Sequence, residues 1–299
     1  MNAPSASPDG LVAVGTLAVV GVGLIGGSFA AALRRAGLVG RVIGAGRRPE
    51  TLAQAMSLGV IDEAVTLTEA ARQADFIFIA APVGAFAPIF NALGPELNPD
   101  ALITDGGSTK QNVIVCARAG LKDRIAQFVP AHPMAGSHES GPAAASADLY
   151  AGRRVMLTPL AENRPQDVSR VQALWQACGA VVSTLDPAQH DAVMASISHL
   201  PHWLAAFYMR HILQSDDIAL RLAMAGPGFR DFTRIAQGSP EMWRDIFLAN
   251  REAMLGELSA LRGVMDQAEQ ALLNHDGTWL QDALQEAARA RSDWTGTGS

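Results

Sequence analysis

The chain has 299 residues, 49% of them hydrophobic and 17% charged, which allows two domains with cores of their own and excludes a disordered protein. Its net charge of −6 at pH 7 excludes the basic surface that a nucleic-acid partner requires. Two cysteines, Cys116 and Cys178, lie far apart without metal spacing and suit a reducing cytoplasm, each as a small core residue.

Residues 1–10, MNAPSASPDG, read as a disordered tail without the basic start of a signal peptide. The uncharged run from Leu11 to Leu33 is long enough to cross a bilayer, but it holds five glycines. Inside it, Leu17-Ala18-Val19-Val20 reads as a buried strand. Gly21, Gly23 and Gly26 follow in G-x-G-x-x-G spacing, and an Ala-rich helix runs on towards Gly37. Gly21 permits the tight turn, Gly23 leaves no Cβ between backbone and a pyrophosphate, and Gly26 lets helix and strand approach. A diphosphate would lie on the first helical N–H groups, at Leu24 and Ile25, where the helix dipole is positive. The expectation is a soluble, cytoplasmic protein with no membrane span and a dinucleotide on this loop. A purely structural turn is the alternative.

Arg41–Ala45 is the next strand, and at its end an NAD site offers a carboxylate to the ribose hydroxyl. This chain offers Gly46-Arg47-Arg48 instead. Two guanidiniums suit a 2′-phosphate, so NADP is expected, with NAD as the alternative; two surface arginines are the structural reading. A helix over 49–58 leads to the strand 75–80 and its end loop with Pro82 and Val83, which adds to the cofactor edge. A second helical run, the strand 101–104 and the loop Asp105-Gly106-Gly107-Ser108-Thr109-Lys110 follow, then a helix over 109–120. Ser108 is either that helix's N-cap or a group at the ligand edge. A strand over 126–130 runs into Ala131-His132-Pro133-Met134-Ala135-Gly136. His132 there is either a general base working near neutral pH or a core histidine with satisfied nitrogens.

Two further strands, 154–158 and 180–184, flank a helix, and past Asp186-Pro187 only helices are expected. The pattern therefore predicts an α/β dinucleotide-binding domain over 11–185, a doubly wound, mainly parallel sheet of Rossmann type, then an all-helical domain over 186–299. A long helix over 188–213 is interrupted by Pro201, and His199 and His202 share one of its faces. No cysteine or carboxylate stands at ligand spacing, so no metal is expected. In Gly226–Ala236, some of the polar residues set among phenylalanines are expected to be partly buried; Arg230 would pair with Asp231 or another acid, and Arg234 with an anionic substrate. Met254, Leu258, Leu261, Met265, Ala268 and Leu272 form a heptad-like seam, covered by another helix of the chain or, as we expect, by a second copy in a homodimer.

VGVGLIGGS, DGGSTK, HPMAGSHESG, SHLPH and GFRDFTRIA followed by MWRDIF stand in that order between about Thr16 and about Leu273. In these motifs the chain resembles the prephenate/arogenate (cyclohexadienyl) dehydrogenases of tyrosine biosynthesis. The resemblance implies a small-molecule substrate, prephenate or arogenate, and its oxidative decarboxylation. Hydride leaves the carbon bearing the ring hydroxyl, the hydroxyl loses its proton, carbon dioxide departs and the ring becomes aromatic. It also implies that His132 takes or polarises the hydroxyl proton and that Ser108 orients hydroxyl and nicotinamide. Arg234 would bind a substrate carboxylate, and His202, Trp243 and His199 would line the substrate pocket. Gly46-Arg47 departs from the acidic residue many members carry and puts NAD in doubt. The competing readings are another two-domain dehydrogenase, acting on 3-hydroxy acids or imines, and a cofactor-sensing protein without turnover.

Overall fold

The computed structural model describes residues 13–136 and 139–294. The expected tail and the Ser137-His138 part of the HPMAGSHESG motif lie outside them. Contacts divide the chain into two compact units, Met1–Asp191 with Gly238–Ala249, and Ala192–Gln237 with Asn250–Ser299.

Six parallel strands form the main sheet of the first unit: β1 (Val14–Val20), β2 (Val39–Ala45), β3 (Glu63–Ala64), β4 (Phe76–Ile79), β5 (Leu102–Asp105) and β6 (Phe128–Val129). Their order is β3-β2-β1-β4-β5-β6, so the chain winds outwards from β1 in both directions. Alternation along each strand builds two cores. Leu17, Val19, Phe76 and Phe78 face α1 (Leu24–Arg35) and α6 (Pro165–Ala177). There Phe29 lies 4.6 Å, ring to ring, from both Phe78 and Trp175. Ala18, Val20, Ile77 and Ile79 face the other way, onto α3 (Leu67–Gln73), α4 (Phe86–Leu93) and α5 (Gln111–Leu121). The remaining helix of this half, α2 (Pro49–Ser57), follows β2.

Two strands differ from expectation: the two-residue β3 is additional to those expected, and the stretch around His132 divides between two sheets. The run 126–130 supplies the short β6, and the chain then enters a second sheet as β7 (Ala131–Pro133), beside β8 (Arg154–Leu157) and β9 (Val181–Thr184). Pro130, without an N–H, ends the first ladder. β7 pairs antiparallel with β8, so His132 lies inside a strand, opposite Met156, and not in the loop after one.

A buried ion pair fastens β7 to β5. Lys110 Nζ lies 2.5 Å from Asp105 Oδ2, both side chains are fully buried, and Lys110 Nζ also donates to Ala131 O. Asp105 accepts from the N–H groups of Ala131, at 2.9 Å, and Gly107, at 2.8 Å. Burial pushes the Asp105 carboxyl up and the Lys110 ammonium down, against their mutual attraction.

α7 (Pro187–Met194) leads into the helical half. The interruption expected at Pro201 is a π-helical segment, Ala195–His199, placed just before α8 (Leu200–Leu213). Pro201 has no N–H to return to Ile197, and widening that turn by one residue accommodates the loss. α9 (Ile218–Ala223), α10 (Pro227–Thr233) and a 3₁₀ turn, Arg234–Gln237, follow. Of the polar residues here Thr233 is partly buried, as expected of some of them, while Arg230, Asp231 and Arg234 are exposed. Phe229 and Phe232 of α10 turn to Tyr208 on α8, at 6.0 and 5.5 Å between rings, which leaves the charged residues outward. α11 (Pro240–Ala249) returns to the first unit, where Trp243, Ile246 and Ala249 pack on its second core. α12 (Arg251–Leu273) and α13 (Gly277–Asp293) complete the second unit. Among the described residues, no helix is long and apolar enough to cross a membrane.

Replacing one member of the buried pair strands the other as an unpaired charge. Lys110→Met is expected to destabilise the first unit by ~3–5 kcal/mol. The double variant Asp105→Asn/Lys110→Met should recover part of that loss in thermal unfolding. A Lys110→Met midpoint equal to the parent's would show that the pair does not hold β7.

Candidate active site

Strand register collects the carboxyl ends at one edge. Val20 is level with Ala45 and Ile79, and Ile79 with Asp105. Gly21, Gly46, Pro82 and Ser108 therefore follow strands that end together, the edge where such sheets hold ligands. Gly21 has φ +94°, and a Cβ on it would meet Ala80 O at 2.6 Å. A Cβ on Gly26 would meet Val19 Cγ1 at 2.6 Å and Gly21 O, whereas one on Gly23 would meet nothing within 4 Å. The first and third glycines serve packing, and the second keeps a space open. α1 starts at Leu24, with N-cap Gly23, no side-chain cap and no acid in its first turn. Its first N–H groups, at Leu24, Ile25 and Gly26, have no partner within the helix and lie at the positive end of its dipole. This cradle fits a dinucleotide diphosphate.

Around the edge, Gly46, Arg47 and Arg48 are exposed at the end of β2. Arg47 has one carboxylate near it, that of Glu241 on α11, at 3.6 Å. α11 also seats Asp245 against the β4 loop, so closely that a Cβ on Gly84 would lie 2.9 Å from Asp245 Cγ. Pro82 beside it is exposed and Val83 buried. Trp243, on the same helix, is partly buried, its ring 5.4 Å from that of Phe247.

Ser108 is half-buried and is not a helix cap: α5 starts three residues later, at Gln111. Asp191, from α7, does the capping instead. It accepts from Lys110 N at 2.7 Å and Gln111 N at 2.9 Å. The same carboxylate lies 2.8 Å from His190 Nδ1, and His190 Nε2 lies 2.9 Å from His132 Nδ1. All three side chains are buried. Burial alone would raise the Asp191 carboxyl; hydrogen bonds from His190, Gln111 and Lys110 outweigh it and hold the group below the ordinary carboxylate range. His190 and Asp191 are the site residues that sequence reasoning missed. Their signal was a His-Asp pair in the first turns of a helix that had to bury one face.

In the second unit, His199 is buried on the π-helical segment, its Nδ1 3.1 Å from Asn250 Nδ2. His202, half-buried, donates from Nδ1 to Ser198 O at 2.9 Å. Burial lowers its pKa, the Ser198 bond opposes that, and the nearby Arg234 charge lowers it further. His132, Ser108 and Trp243 thus belong to the first unit, and His199, His202 and Arg234 to the second. Among the described residues, no group of three or more His, Cys, Asp or Glu is placed to hold a metal.

Residues 29–184 match the nucleotide-binding domain of prephenate dehydrogenase, and residues 186–286 its dimerization domain. The chain is 39% identical over 243 residues to a prephenate dehydrogenase of Bacillus subtilis, a match covering 80% of this chain and 65% of that protein. It is 31% identical over 282 residues to a cyclohexadienyl dehydrogenase of Zymomonas mobilis, covering 92% of this chain and 94% of that one. The crystal structure of a prephenate dehydrogenase from A. aeolicus, in complex with hydroxyphenyl propionate and NAD+, superposes with a TM-score of 0.88 at 33% identity. That alignment covers 94% of this chain and 99% of the other.

The glycine geometry separates binding from stability. Gly23→Ala should leave the unfolding midpoint unchanged and weaken binding of the dinucleotide in a calorimetric titration. Gly26→Ala should cost about 1–3 kcal/mol of stability through overpacking. Equal binding by Gly23→Ala and its parent would remove the diphosphate from this loop.

Proposed function

The chain belongs to the prephenate dehydrogenase family, and from that premise we propose that it oxidatively decarboxylates prephenate or arogenate in tyrosine biosynthesis. The products are 4-hydroxyphenylpyruvate and tyrosine, respectively. The observation that carries this reading is a buried imidazole, His132, on a strand anchored to the ligand edge of a dinucleotide-binding sheet. NAD(P)+, when bound, takes the hydride from the ring carbon that bears the hydroxyl.

His132 receives the hydroxyl proton, which lets the oxygen's electrons form the carbonyl as hydride departs. Ser108, half-buried in the loop between β5 and α5, orients hydroxyl and nicotinamide. Gly21, Gly23, Leu24, Ile25 and Gly26 hold the diphosphate, with Pro82 and Val83 beside them. Arg234, exposed and permanently charged, binds a substrate carboxylate; its influence on His202 supports giving the two one pocket. His202, its pKa lowered by burial, contacts the substrate through Nε2, because Nδ1 is committed to Ser198 O. His199, buried against Asn250, packs the helix that carries His202, and Trp243 closes the substrate side of α11. No metal enters the scheme, since aromatisation itself drives the decarboxylation.

NADP+ is the preferred cofactor in this reading and NAD+ the alternative. Support comes from the absence of a carboxylate at the end of β2 and from two exposed guanidiniums there. Arg47 faces Glu241 across 3.6 Å in water, a weak contact that a doubly charged phosphate displaces. A second copy of the chain completes the proposed homodimer. Met265 and Leu272 on α12 are 62% and 64% exposed, and they continue the stripe begun by the buried Met254.

The test is the appearance of reduced nicotinamide when the protein is mixed with prephenate or arogenate and either cofactor. Turnover is expected with NADP+ at a lower KM than with NAD+. Arg47→Ala should raise the NADP+ KM by about 10- to 100-fold and leave that for NAD+ little changed, the loss of one charge-assisted contact. No turnover with any of the four pairs would defeat the reading. A preference for NAD+ would defeat only its cofactor part.

A further inference from the structure

We infer that His190 and Asp191 are positioning residues that fix which nitrogen of His132 can take a proton, an inference that rests on His132 being the base. The argument follows protons along three buried side chains. Asp191 accepts two backbone N–H groups and is held ionised, so it has no proton to give. His190 Nδ1, 2.8 Å from Asp191 Oδ1, is therefore the donor of that bond. A neutral imidazole protonated at Nδ1 has a lone pair at Nε2, and His190 Nε2 lies 2.9 Å from His132 Nδ1. His132 Nδ1 must donate there. The lone pair of His132 is left on Nε2, across the ring from His190.

The arrangement does three things for a base. It selects the Nδ1–H tautomer, as the buried aspartate of a serine-protease triad does for its histidine. It fixes the ring plane through a partner that is itself held. It also places a negative charge behind the imidazolium that forms when a hydroxyl proton moves to Nε2. The proton stays on His132, and Asp191 remains a carboxylate throughout. Asp105, at the end of β5, and Lys110, just before α5, form an ion pair that is neutral as a whole. β8 brings Arg154, exposed, and β9 has no titratable side chain.

The experiment compares Asp191→Asn, His190→Ala and His132→Asn by steady-state kinetics over about pH 5–10, with thermal unfolding alongside. Asp191→Asn and His190→Ala should lose about 10- to 100-fold in kcat, with substrate KM and cofactor Kd nearly unchanged. Their acid-side limb should move to lower pH, because the imidazolium has lost its counter-charge in one variant and the hydrogen-bonded link to it in the other. If both keep the parent kcat and limb while His132→Asn loses about 10²–10⁴-fold, the positioning role is wrong and the base assignment stands. Near-normal kcat in His132→Asn would overturn the base assignment and this inference with it. Should the two variants fail to fold, imidazole nitrogen NMR of the parent protein above the limb decides. The proton of His132 must sit on Nδ1, and finding it on Nε2 overturns the inference.

Discussion

The first unit depends on a salt bridge without access to water. Lys110 and Asp105 are fully buried, and such a pair survives only if the remaining hydrogen-bonding capacity is met. It is met by the backbone of Ala131 on both sides, N–H to Asp105 and C=O to Lys110. The charges therefore do more than cancel each other. They require β7 to start beside the end of β5, and that requirement carries His132 to the ligand edge. The N–H groups of Lys110 and Gln111 then require an acceptor, which Asp191 supplies while holding His190. From Asp105 to His132 the polar groups form one connected network, in which each member's position follows from the need of its neighbour.

The cofactor side of the site was legible in sequence because its signals are local. A strand, three glycines and a helix fall within one short stretch, and the structure gives each glycine the strain or space its position implied. Arg47 and Arg48 after β2 are exposed, Arg47 beside Glu241. The side proposed to handle the proton was half legible. His132 stood out beside a proline after an apolar run, but its partners lie 58 positions further along, on another element. No periodicity links a strand residue to a helix residue at that distance. Ser108 was open to two readings, helix cap or ligand-edge group, and the actual cap came from Asp191, 81 positions from Lys110.

The helical half shows where pattern reading stops. Pro201 correctly marked a break, yet proline chemistry alone does not say whether a helix kinks or takes up an extra residue, and here it does the latter. Nor does an amphipathic pattern say which core a helix will cover. α11 follows the segment expected to meet substrate, yet it packs on the second core of the dinucleotide-binding unit. In the GFRDFTRIA segment the expected partial burial holds for Thr233 and not for the arginines. Its phenylalanines needed only Tyr208, so its arginines stay in water, where a permanent charge remains available for an anion.

The central claim is that His132 takes the substrate's hydroxyl proton through Nε2. It is tested most directly by the crystal structure of this protein with NADP+ and hydroxyphenyl propionate bound together. The account predicts the phenol oxygen at hydrogen-bonding distance from His132 Nε2, about 2.6–3.2 Å, with the cofactor's diphosphate on the N–H groups at Leu24–Gly26. A phenol oxygen held by another side chain, with His132 Nε2 directed away from it, would contradict the account.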